Sequence, residues 1–343
     1  MTTASLRLSP GRRSRAMGLS LVELMISMAL GLVLMGGVFI VFMGSQTGFK
    51  TSDNLSRMQD SARIAFVLMS REIREAGSTG CGNGSRIDTA LYRRNASILN
   101  AALASPPAWW SVMADGIQGF DAGMTTPAVA VGTANGERVA GTAAIRVAGA
   151  FGSGFTIDAH DDTLNKFTLN TGASGISVND VLIACDYKQS TIFVASSVAA
   201  SAITYATSSA GNCGTALGYE MTGLCPATDY NYDPLVSRLS RFGASTWYIG
   251  TGADGRSSLF RMFMDDAPEE IATGVTGMQL VYLQEGGLSY VSAATVGDWS
   301  KVLAVRVTLS FEGQNAGVST DSSGDGRLTT ETTSTVMLRN RAP

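Results

Sequence analysis

The chain has 343 residues, enough for one large domain or two small ones. Its net charge of −3 is unevenly placed: four arginines put +4 on residues 1–18, which leaves −7 on residues 19–343. An acidic body without a basic stripe excludes ordinary nucleic-acid binding, and a single histidine, His160, leaves little material for catalysis.

Residues 1–18 form a basic leader carrying Arg7, Arg12, Arg13 and Arg15 and no acid. Residues 19–48 are apolar, with no charged residue between Leu24 and Met43. A helix needs roughly 20 such residues to cross a hydrocarbon core. Glu23 stands at the edge of that run, where an ionised carboxylate is costly and therefore a functional candidate. Three plainer explanations compete. A secretory signal peptide has an apolar core of about 7–15 residues and is cut after it, whereas this run is longer. A plain signal anchor leaves Glu23 without a role. A twin-arginine export signal on Arg12-Arg13 lacks a supporting apolar pattern in Ser14–Met17.

Residues 49–77 read as an amphipathic helix. Leu55, Met58, Ala62, Ala65, Met69 and Ala76 recur at threes and fours, opposite Asp53, Arg57, Asp60, Arg63, Arg71 and Arg74. Arg71 and Glu75 are spaced to pair across a turn, and Gly77 is a natural stop. Leu19 to Ala76 as one helix would be about 87 Å long. Gly36-Gly37, Gly44 and Gly48 weaken its middle. They either let it extend in a filament or permit close helix contact in a bilayer.

Residues 78–343 read as a β-rich body. The pattern is weak to about Thr142, with a short helix expected over Leu91–Leu103, a break at Pro106-Pro107 and packing tryptophans at Trp109-Trp110. Strand-like runs follow at Ala143–Ala148, Lys166–Leu169, Asp180–Ala184, Thr191–Ser196, Ala202–Ala206, Ser245–Ile249, Leu259–Met264, Met278–Leu283, Val302–Phe311 and Thr332–Leu338. Val302–Phe311 alternates most clearly. The fold class expected is α+β, a long N-terminal helix with its second half packed on an antiparallel sheet.

Little catalytic chemistry is visible. His160 lies in the polar stretch Asp158–Asp162 and reads as a solvated loop residue. The glycines of Gly250–Gly255 match the dinucleotide spacing but stand between two strand-like runs, so they read as a hairpin loop. Asp321–Gly326 and Asp229–Asp233 offer oxygen ligands without EF-hand spacing, and Asp325-Gly326 suits a hairpin turn. No metal, cofactor or enzymatic activity is expected. The cysteines are the better signal: Cys81, Cys185, Cys213 and Cys225 allow three connectivities. The short separation of Cys213 and Cys225 favours that pair, a closure worth about 3 kcal/mol in the chain-entropy model.

At its N-terminus the chain resembles the type IV prepilins. Gly18 precedes an apolar residue, Leu19, and Leu19-Ser20-Leu21-Val22-Glu23 places glutamate fifth. The resemblance implies cleavage between Gly18 and Leu19 by a prepilin peptidase, N-methylation of Leu19 and a charge-pairing role for Glu23 in assembly. Leu19 departs mildly from the commoner phenylalanine or methionine. Glu75-Ala76-Gly77 with Cys81, the stretch Asp180–Phe193, Glu269–Tyr282 with Asp298–Leu309, and Thr335–Arg341 are similar to PilW-type minor pilins. That similarity implies a Cys81–Cys185 pair. It also implies a minor pilin of a tip or priming complex that initiates pilus assembly. The partners implied are other minor pilins, the major pilin and a tip adhesin. The location implied is the bacterial inner membrane, with the globular part in the periplasm and later at the pilus tip. A minor pseudopilin of a type II secretion system shares this N-terminus. A membrane-tethered enzyme or binding module is the remote alternative. Residues 85–140 and 207–235 match no pattern.

Overall fold

The computed structural model describes residues 20–81, 95–111, 113, 115–208, 211–219, 221–222, 225–234, 236–319 and 325–341. A helix, α1 (Leu21–Glu75), opens the described chain. The chain divides into two units, Met1–Asp53 and Asn54–Pro343. In the first, every residue from Leu21 to Lys50 is exposed, and α1 is long and apolar enough here to cross a membrane.

The second unit holds the sheets. After α1 come β1 (Asn95–Ser97), the one-turn helix α2 (Asn100–Leu103), β2 (Ile117–Phe120) and β3 (Ala144–Asp161). There follow β4 (Lys166–Leu169), β5 (Val181–Cys185), β6 (Ser190–Val194), β7 (Ser197–Ala199), β8 (Ala202–Thr204) and the two-residue strands β9 (Met221–Thr222) and β10 (Cys225–Pro226). The last are β11 (Arg238–Thr251), β12 (Ser257–Phe263), β13 (Glu269–Thr273), β14 (Val275–Gln284), β15 (Val302–Glu312) and β16 (Thr329–Met337). The helix expected over Leu91–Leu103 is replaced, from Asn95 onward, by β1 and then α2. Asn95–Ser97 lies parallel to Ser190–Ile192 of β6 and buries Ala96, so docking overrides local helix preference.

The antiparallel strands β3 and β11 form a spine, paired from Thr156↔Arg238 to Ala144↔Tyr248. Each changes its outer partner part-way. β3 pairs with β2 near its start and β4 near its end; β11 pairs with β5 near its start and β12 near its end. At the crossover three residues of β3, Gly152–Gly154, stand opposite Ser240 alone, a bulge between the pairs Phe151↔Arg241 and Phe155↔Leu239. Gly152 has φ +77°, which favours a residue without Cβ.

Two of the four buried clusters among the described residues take residues from opposite ends of the spine. One collects Phe167, Phe193, Tyr205 and Tyr232 under the hairpins of β4 to β8. The other buries Met58, Ala65, Met69 and Ile73 of α1 against Ile145, Val147 and Trp247 of the spine and Leu280, Val305, Val307 and Leu309 of the separate β14–β15–β16 sheet. Fully burying a side chain such as Met69 or Ile73 contributes about 1.5–3 kcal/mol. The helix therefore packs on two sheets rather than one. All their strand pairs are antiparallel except β1 with β6. The α+β class is the one expected.

Candidate functional site

The start of α1 is organised by its own first turn. Ser20 precedes the helix, and its Oγ accepts from the Glu23 backbone N–H at 3.1 Å. The Leu24 N–H donates to the Ser20 carbonyl at 3.1 Å. Ser-x-x-Glu is the spacing of a capping box, and it puts the Glu23 carboxylate in the first turn, where the helix dipole favours negative charge. That signal was present in the sequence beside the fifth-position glutamate. Ser27 Oγ donates to the Glu23 carbonyl at 2.7 Å. Beyond Glu23, Leu24 to Phe49 carry no charge, and their large apolar side chains are exposed throughout, as at Leu32 (75%), Met35 (75%) and Val41 (73%). Gly18, Leu19 and the leader lie outside the described residues.

In the globular unit two side chains of the helix, Glu72 and Asn54, make polar contacts that the apolar pattern did not reveal. Glu72 Oε2 accepts from Ser245 Oγ at 2.5 Å and Trp247 Nε1 at 2.6 Å, while Oε1 accepts from Arg261 Nε at 2.8 Å. One carboxylate thus joins α1 to β11 and β12. Asn54 is buried, with its Oδ1 accepting from Asn315 N at 3.2 Å and its Nδ2 donating to Asn315 O at 3.3 Å. Leu55, expected on the apolar face, is exposed, because Asn54 occupies the contact instead. The available signal was a polar residue falling at three- and four-residue spacing from Met58, Met69 and Ala76. Gly77, with φ +72°, ends the helix in the left-handed conformation expected of a stop.

The cysteines meet in two pairs. Cys81 and Cys185, 104 residues apart, are disulfide-bonded with Cα atoms 5.8 Å apart, joining the helix exit to the end of β5. Cys213 and Cys225 close a 12-residue separation.

His160 is a correction. It is buried on β3, not in a solvated loop. A bulge between Ile157 and Ala159 shifts the alternation, so that Ile157 and His160 both face inward. Its ring stacks on Phe167 at 4.2 Å. Nε2 lies 2.6 Å from Tyr205 Oη, and Nδ1 accepts from the Tyr232 N–H at 3.1 Å. Burial lowers its pKa to about 4, against the opposing pull of Asp162, Asn231 and Asp161. With Nδ1 already an acceptor, the neutral ring carries its proton on Nε2. This is a packed core group, remote in sequence from the helix start.

The remaining motifs bring no chemistry together. Gly250–Gly255 spans the turn from β11 to β12. Among the described residues no group of three or more histidine, cysteine, aspartate or glutamate side chains could hold a metal ion. Asp321 to Gly324 lie outside the described residues. Arg327 Nε contacts Asp325 at 2.5 Å.

Residues 13–39 match the model of the prokaryotic N-terminal methylation motif. The match spans Gly18, Leu19 and Glu23 together. By this N-terminus the chain is a type IV prepilin-family protein. The prepilin motif and the apolar helix are those of a membrane-anchored pilin or pseudopilin, processed by a prepilin peptidase and assembled with other pilins. No curated protein sequence matches the prepilin chain. A type IV-like pilin from Thermus thermophilus is similar in structure at 8% identity, over 84% of this chain and 98% of that one, with a TM-score of 0.30. A superposition that loose equates no individual residues.

Proposed function

We propose that the protein is a PilW-like minor pilin that joins the tip or priming complex of a type IV pilus. The observation that carries this reading is the methylation motif of residues 13–39 overlapping a helix whose large apolar side chains from Leu21 to Phe49 are all exposed. The proposed mechanism is non-enzymatic. The peptidase cuts between Gly18 and Leu19 and methylates Leu19, and the helix then leaves the inner membrane for a bundle with neighbouring subunits. Glu23 enters that apolar bundle, where an unpaired charge is strongly unfavourable. The amine freed at Leu19 on a neighbouring subunit supplies the cation. The proposed organisation is a cleaved leader at 1–18, a membrane or filament-core segment at 19–48, an amphipathic segment at 49–77 and a periplasmic body at 78–343. The proposed partners are other minor pilins, the major pilin and a tip adhesin.

Deleting the gene tests the assignment. Loss of surface pili with exoprotein secretion intact supports a pilin, whereas loss of secretion with pili intact identifies a pseudopilin. N-terminal sequencing of the mature protein should begin at Leu19; a terminus near Ser45 would establish an ordinary signal peptide instead.

A further inference from the structure

A polar cleft of about 460 Å³ lies at the exit of α1, within the globular unit, at the point where the spine strands change partners. One wall is the Gly152–Gly154 bulge of β3; Glu75 and Ser240 contribute to the others. A side chain on Gly154 would meet Ser240 Oγ at 2.6 Å, and one on Gly80 would meet the same atom at 2.8 Å. The open wall therefore depends on glycine. Two arginines line the cleft from distant parts of the chain, Arg238 at the start of β11 and Arg339 just after β16. Both are exposed, and among the described residues neither has a carboxylate within ion-pair distance. Arg339 is held in place by its backbone, whose N–H donates to the Arg74 carbonyl at 2.9 Å.

We infer that this cleft is a carboxylate-binding site. Two guanidinium groups present planar donor forks that match a carboxylate. Two arginines against Glu75 leave a single positive charge, which balances a carboxylate rather than a doubly charged phosphate. The side-chain-free wall at Gly152 and Gly154 lets the backbone of a bound group come close. A carboxylate reaches such a cleft either as a free small acid or at the end of a peptide segment.

The test is a titration of the full chain in neutral-detergent micelles, followed through the arginine side-chain Nε–H signals in NMR. The probes are acetate, an N-acetylated tripeptide with a free C-terminal carboxylate, the same tripeptide as its amide, and inorganic phosphate. Binding of a carboxylate that weakens about tenfold or more in the Arg238→Gln, Arg339→Gln double variant supports the site. Tighter binding in Glu75→Gln, and weaker binding at higher salt, support it further. Preference for the tripeptide identifies a peptide carboxylate as the ligand; equal affinity for acetate identifies a free acid. The inference is overturned if neither carboxylate binds, if the amide binds as well, if phosphate binds more tightly, or if the double variant binds as wild type does. Neither arginine side chain makes a described hydrogen bond, so the double variant should keep the thermal stability of wild type.

Discussion

Glu23 and His160 are both ionisable groups beside apolar surroundings, and each has a distinct outcome on substitution. Glu23 is supported locally by the Ser20 cap and the helix dipole, a contribution of about 0.3–1 kcal/mol. If that were its whole role, Glu23→Ala would assemble as wild type does. We expect Glu23→Ala to be inserted and cleaved but to co-purify poorly with other minor pilins, with Glu23→Asp between the two. Cleavage itself should tolerate Gly18→Ala far better than Gly18→Leu, because a peptidase reading extended backbone admits only a small side chain there; an immunoblot of processed against unprocessed chain decides this. His160 acts on stability instead. Its folded pKa of about 4 lies below the unfolded value of 6.5, so the unfolded chain binds the extra proton between those values. Stability should be complete above pH 6.5 and fall as pH drops toward 4, by up to about 3 kcal/mol. Protonation would set an Nδ1–H against the Tyr232 N–H. Thermal melts of His160→Gln should lack this part of the acid slope; an unchanged slope would rule out His160 as its source.

At the scale of the element, α1 combines two different surfaces. Its N-terminal stretch from Leu21 to Lys50 is exposed, while Met58, Ala65, Met69 and Ile73 are buried in the core of the globular unit. Glu72 concentrates the polar part of that attachment, since its carboxylate takes three donors from β11 and β12. Glu72→Ala leaves Trp247 Nε1–H and the Arg261 guanidinium without that acceptor. We expect a loss of about 3 kcal/mol, the range found when one partner of a largely buried charged pair is removed. Calorimetry should show this as a drop in Tm of about 5–10 °C. A drop of a degree or less would mean that apolar contacts alone hold the helix. The Cys81–Cys185 bond lies just past this attachment and restrains where the chain leaves the helix.

At the scale of the molecule, the globular unit contains its own buried clusters, both disulfides and all the strands among the described residues. A fragment of residues 54–343 should therefore be soluble when exported, and should melt in a single cooperative transition. Circular dichroism and calorimetry check this, and a broad non-cooperative melt would show that residues 20–53 are needed for folding. The β3–β11 spine is what unites the unit, because it contributes residues to all four buried clusters.

The sequence by itself determined the N-terminal features, because they depend on residues close together in the chain. The charge-free run, the glutamate fifth after Gly18, the amphipathic spacing to Ala76 and the stop at Gly77 are all local patterns. So are strands such as Val302–Glu312, whose alternation is set by one buried and one open face. Only the tertiary structure decided what depends on residues far apart. The three donors on Glu72 come from 173 to 189 positions away, and nothing near Glu72 encodes them. His160 is buried through a bulge and through aromatic partners on β4, just after β8 and in the loop before β11, against the polar character of its neighbours. The cleft exists because Arg238 and Arg339 converge on a glycine bulge. That convergence is a property of register between strands, and local sequence preference does not encode register across 101 residues.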